Sequence, residues 1–130
     1  MNTTNRDFFI VTTLKTLGVS PRLLGYSYLK SAINLVLEDP EYQRALTKRL
    51  YPKIAEMHLS TPSRVERAIR HSIETAWDRG DIYFEEELFG YTVSADKGKP
   101  TNSEFIATVV DYVSMSFKEE TDGLKCQHNE

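Results

Sequence analysis

The sequence predicts an all-α fold of about six helices in a single compact domain, with a helix-turn-helix inside it. Three observations predict this. Apolar residues recur at helical spacing in one segment after another. The breaks between these segments hold residues that start or stop helices, namely Gly18, Asp39-Pro40, Thr61-Pro62, Gly80 and Thr101-x-x-Glu104. The length of 130 residues suits one domain rather than two.

Taken in order, residues 5–17 place Phe8, Phe9, Val11, Leu14 and Leu17 at helical spacing, and Gly18 ends the run. Ser20-Pro21 opens a second helix through about Glu38, with Leu23, Leu24, Tyr28, Leu29, Ile33, Val36 and Leu37 inward. Asp39 or Pro40 starts a third through Ala45 and Leu46. A short helix follows from Pro52, whose missing N–H suits a first turn, and it breaks at Leu59-Ser60-Thr61-Pro62.

Thr61 as N-cap and Pro62 as first residue then begin a longer helix to Arg79, and Gly80 is placed to end it in a left-handed cap. A short acidic helix spans Ile82 to Leu88, and Phe89 to Lys99 shows no helical period. The box Thr101-x-x-Glu104 starts a last helix with Phe105, Ile106, Val109, Val110 and Val113 inward. The domain is expected over 1–118, with a polar, disordered tail over 119–130.

The helix from Pro62 has two faces. Val65, Ala68, Ile69, Ile73 and Ala76 fall on one side, with Trp77 at its edge. Ser63, Arg64, Arg67, Arg70, His71 and Glu74 fall on the other. A helix-turn-helix reader needs this arrangement, because the N-terminal residues of its second helix reach base edges in the major groove. An arginine can donate two hydrogen bonds to O6 and N7 of guanine, so Arg64 and Arg67 are the sharpest candidates. The competing reading is a solvated face with Arg–Glu pairs at i, i+4. Ser63, Arg70 and His71 suit phosphate or groove-wall contacts. Lys97 and Lys99, in a turn, suit phosphate contact or plain solvation. Trp77, Tyr26 and Tyr28 read as core aromatics.

Charge is distributed to match. The chain carries a net −3, yet Arg44 to Arg79 holds eight Lys or Arg against four Asp or Glu, a net of +4. One basic centre in an acidic chain fits a single electrostatic footprint on nucleic acid. No phosphate-cradling glycine loop or nucleophile motif is present, and Glu85-Glu86-Glu87 reads as a solvated helix face, so an enzyme is not expected. His58, His71 and His128 lack metal-ligand spacing, and no cofactor is expected. No run is long enough to span a bilayer, and the N-terminus does not resemble a secretory signal. The lone Cys126 suits a cytoplasmic protein.

The segments SRVERAIRH, AWDRGD, LFGYTVS and KPTNSEFIA, with GY at Gly25-Tyr26 and LYP at Leu50 to Pro52, resemble one family: the C-terminal DNA-binding domain of the stage-zero sporulation protein A. The resemblance runs from about Leu17 to Val110. It implies a sequence-specific transcriptional regulator acting on double-stranded DNA, with a short TGTCGAA-like box as target and two copies on adjacent boxes. It implies that Arg64 and Arg67 contact bases and that Glu66 approaches cytosine N4, although Glu66 could also simply favour the helix dipole. Phe89 and Val93 match a surface that the family uses to engage the sigma subunit of RNA polymerase; simple packing is the other reading. Family members carry a phosphorylated receiver domain before this module and a basic segment after it. The 130 residues contain neither; the initiating Met and non-basic ends favour a complete small protein, with a fragment of a longer regulator as the alternative. The alternative function is a stand-alone interaction module that binds polymerase or a full-length relative without specific DNA binding.

Overall fold

The computed structural model describes residues 3–90 and 98–128. Among them are six α-helices and no strand: α1 (Thr3–Thr16), α2 (Leu24–Glu38), α3 (Tyr51–His58), α4 (Pro62–Arg79), α5 (Ile82–Phe89) and α6 (Asn102–His128). The all-α expectation holds. The expected helix over Pro40–Leu46 is instead a 3₁₀ turn, Pro40–Arg44, followed by a π-helical turn, Leu46–Leu50, that runs into α3. The π turn closes on Ala45, whose carbonyl accepts from both Arg49 N (2.8 Å) and Leu50 N (3.0 Å). α2 starts later than Ser20-Pro21 suggested. Those residues form a turn, in which the Ser20 Oγ and carbonyl accept from Arg22 N and Leu23 N. At the other end, α6 extends to His128, into the stretch expected as a tail. Lys118-Glu119-Glu120 are good helix formers, and no proline follows them.

α2 lies at the centre, packed on α4, α6, α1 and α3. Leu29, Ala32 and Ile33 of α2 are fully buried. They meet Val65, Ile69, Ile73 and Ala76 of α4, Ile54 of α3, and Phe105, Ile106 and Val109 of α6, all in one core. The crossing of α2 over α4 is made possible by Gly25. A Cβ there would run into Ser72 Oγ and the Ala68 carbonyl oxygen.

Two helix ends depart from simple expectation. Gly18 does end α1 in the left-handed region (φ +92°), with Val19 N bonded to Leu14 O and Gly18 N to Lys15 O. Gly80 does not: its φ of −74° and ψ of 173° are extended. Its lack of a side chain serves close approach instead, since a Cβ there would run into the Leu17 carbonyl. The chain then turns at once into α5, whose N-cap Asp81 accepts from Tyr83 N and Phe84 N.

At this junction Glu85 is buried, 6% exposed, with Oε1 lacking a hydrogen-bond partner, so only Glu86 and Glu87 of the acidic run are solvated. Burial, with a smaller push from the Asp81 carboxylate, raises the Glu85 carboxyl from 4.5 to about 7. The folded state therefore holds a proton that the unfolded chain has lost above pH 4.5. The resulting stabilisation is complete below pH 4.5 and disappears as pH rises through about 7. Its size is on the order of 3 kcal/mol. Glu85→Gln should flatten this part of the stability-versus-pH curve in chemical denaturation and leave the protein more stable than wild type at pH 8. An unchanged curve would contradict the assignment.

Candidate nucleic-acid interface

α3, a three-residue turn and α4 form a unit consistent with a helix-turn-helix. Leu59, where such turns favour glycine, takes the left-handed conformation itself (φ 54°, ψ 50°) and is 96% exposed. Its side chain contributes no packing, while its backbone conformation costs about 1 kcal/mol. Leu59→Gly should stabilise the fold by about 0.5 kcal/mol or more, once the entropy of a freer unfolded chain is set against that relief. A lowered thermal midpoint would mean that the leucine contributes something packing does not reveal.

α4 begins as the sequence predicts: Thr61 Oγ1 accepts from Arg64 N (3.3 Å) and Pro62 stands in the first turn. Val65, Ile69, Ile73 and Ala76 are fully buried, which fixes the rotation of α4 about its axis. Ser72, absent from the expected apolar face, is also buried, against Gly25. The opposite face then points outward. Ser63, Arg64, Glu66, Arg67, His71 and Glu74 are exposed and Arg70 is half-buried. An i, i+4 pair does form on this face, but it joins Arg70 Nε to Glu74 Oε1 (3.0 Å). Arg64 and Arg67 are exposed and have no ion pair among the described residues.

Arg70 is partly committed elsewhere. Its Nη1 donates to the carbonyl of Pro100 (2.8 Å), which ties the residues just before α6 to α4. Two of its five donors are thus engaged, leaving the others for a phosphate. The first turn of α6 docks beside it. Thr101 and Glu104 cap each other, as the box predicts, with Thr101 N donating to Glu104 Oε1 (2.8 Å) and Glu104 N to Thr101 Oγ1 (3.1 Å). Asn102 Nδ2 reaches both Tyr51 Oη and the Glu66 carbonyl (3.2 Å each). It thereby links α6 to both helices of the reading unit. Sequence spacing carried no sign of this link, because its partners lie 36 and 51 residues away. Together Glu66, Arg67, Arg70, His71, Thr101 and Asn102 border a shallow groove of about 490 Å³ along α4.

Lys99 sits 3.8 Å from Asp78 in a largely exposed ion pair. Lys97 and Val93 lie outside the described residues. Phe89, for which a partner surface and simple packing were both open, is packed. It belongs to α5, is 3% exposed, stacks on Phe105 (5.7 Å between centroids) and meets Trp77 edge-on. Its ring is part of the core. Tyr26 and Tyr28 are buried as expected, and Trp77 is half-buried against Phe89 and Phe105.

Among the described residues no group of three His, Cys, Asp or Glu side chains is placed to hold a metal ion. No helix there is long and apolar enough to cross a membrane. A helix locked by a buried face, led by a short helix and tight turn, and presenting arginines without ion pairs in its first turns is consistent with one class, the all-α domains of helix-turn-helix type. Residues 10–113 match the family described as sporulation initiation factor Spo0A C terminal, and the chain belongs to that family. It is a family of DNA-binding domains, not of enzymes.

Proposed function

We propose that this chain is a sequence-specific transcriptional regulator that lays α4 in the major groove of a TGTCGAA-like box, two copies occupying adjacent boxes in tandem. Arg64 and Arg67 donate to guanine and Glu66 accepts from cytosine. Ser63, Arg70 and His71 fix register on phosphates or the groove wall, with Lys97 and Lys99 adding phosphate contacts from the neighbouring loop. What supports this reading is the exposure of Arg64 and Arg67, without ion-pair partners among the described residues, on a helix whose other face packs into the core through Val65, Ile69, Ile73 and Ala76. The test is a titration of the purified chain against a duplex with two tandem boxes and one with the guanines scrambled. Tighter binding to the intact boxes is expected. Equal affinity for both duplexes would sink the assignment of this target.

A second reading, contact with RNA polymerase through its sigma subunit or with a full-length relative, is favoured by one observation. On α5, Ile82 and Tyr83 are 69% and 83% exposed beside the solvated Glu86 and Glu87. Such a contact survives loss of Arg64 and Arg67, whereas DNA reading does not.

A further inference from the structure

The basic centre of the chain extends beyond α4. From Pro40 to Lys53 there are four Lys or Arg and a single acid, Glu41. Arg49 is engaged, 3.3 Å from Asp39 and lying over the Tyr42 ring at 4.6 Å. Arg44 and Lys48 are exposed, and neither has an ion pair among the described residues. They border a second surface depression, with Gln43, Thr47 and Ser103 as neighbours.

The two depressions share a wall. Thr101 and Asn102 line the one along α4, and the next residue, Ser103, lines the other. Hydrogen bonds fasten this wall on both sides. Asn102 holds the Glu66 carbonyl of α4, while Gln43 Nε2 donates to Ser103 O (3.1 Å) and Oγ (3.2 Å). Thr101, Asn102 and Ser103 carry no charge, and the Glu104 carboxylate accepts from Thr101 N. A polar, uncharged ridge one helix turn long thus separates the α4 face from Arg44 and Lys48. The π-helical turn that carries Lys48 leads directly into α3. In this class of domain the first helix of the unit crosses the DNA backbone.

Groove dimensions give this placement a consequence. An α-helix with its side chains is about 10–12 Å across, and the major groove is about 12 Å wide. A helix seated there fills the groove, so the surfaces flanking it face the phosphates at its edge. We infer that Arg44 and Lys48 form an outlying phosphate clamp, binding the DNA backbone beside the box that α4 reads. This rests on the reading of α4 as the DNA-reading element.

The test uses the full chain with Arg44→Ala, Lys48→Ala and the double variant, measuring affinity for the intact and scrambled duplexes over a series of salt concentrations. Each lost contact is expected to reduce the slope of log affinity against log salt by about 0.9. Affinity for the two duplexes should fall by the same factor, so the preference for the box stays unchanged, and Lys48→Arg should restore the slope. Both side chains are exposed, so the thermal midpoint is expected to stay at the wild-type value. A wild-type slope in the double variant, with box preference intact, overturns the clamp and leaves the proposed function standing. A changed box preference with an unchanged slope also overturns it, by assigning these residues to base reading. Failure of the unaltered chain to bind either duplex overturns both.

Discussion

Replacing Arg64 and Arg67 together by alanine is expected to abolish the preference for the box while leaving the fold intact. Each bidentate arginine–guanine contact discriminates by about 1–3 kcal/mol. The pair should therefore cost at least about thirtyfold in affinity for the intact box. Both side chains are exposed and have no ion pair to lose among the described residues. Stability should accordingly change by no more than about 0.5 kcal/mol. This combination separates reading from folding. A variant that loses binding and also melts early would indicate that the arginines support the structure. A variant that binds the box normally would remove them from the interface.

Gly25→Ala is expected to have the largest effect on the fold, with a sign opposite to the usual one. In an unobstructed helix, glycine to alanine stabilises by about 1 kcal/mol. Gly25 lies in α2 where it crosses α4, and its new Cβ would overlap Ser72 Oγ and the Ala68 carbonyl oxygen. The serine can shift, but a helical backbone carbonyl cannot move without displacing α4. The expected result is a loss of about 1–3 kcal/mol or more in denaturant unfolding. Ser72→Ala makes the comparison informative. The Ser72 hydroxyl is buried without a hydrogen-bond partner, so its removal should be neutral or mildly stabilising. Combining the two should recover only part of the loss, because the carbonyl remains in the way. Stabilisation by Gly25→Ala alone would mean that the two helices do not approach as closely as described.

These expectations draw on different layers of legibility. Local signals read well from the sequence. Thr61-Pro62 marked the start of α4, the Thr101–Glu104 box marked α6, and the 3.6-residue period separated the buried Val65, Ile69, Ile73 and Ala76 from the exposed arginines. The misread features depend on what a residue meets across space. Gly80 looked like a left-handed cap, but its role is to let the Leu17 carbonyl approach. Glu85 stood in an acidic run that looked solvated, yet α5 turns it inward. For Phe89 the sequence left surface and packing both open, and its ring lies in the core. Asn102 and Pro100, which bind the loop and α6 to α4, gave no local sign, because hydrogen bonds between distant segments leave no period in either one. Ser20-Pro21 and Asp39-Pro40 did mark changes of direction. They could not reveal that a turn, and not an α-helix, comes next.

The central claim is that α4 reads guanine in the major groove through Arg64 and Arg67. The most direct measurement replaces the guanines of the box by 7-deazaguanine, which removes the N7 acceptor and leaves Watson–Crick pairing in place. Affinity is then compared for the unaltered chain and the Arg64→Ala/Arg67→Ala variant. The account predicts that the modified duplex binds the unaltered chain at least about tenfold more weakly, the loss expected from one good base contact. It predicts little or no difference for the double variant, because the groups that met N7 are gone. Equal binding of both duplexes by the unaltered chain, or the same loss in the double variant, would contradict it.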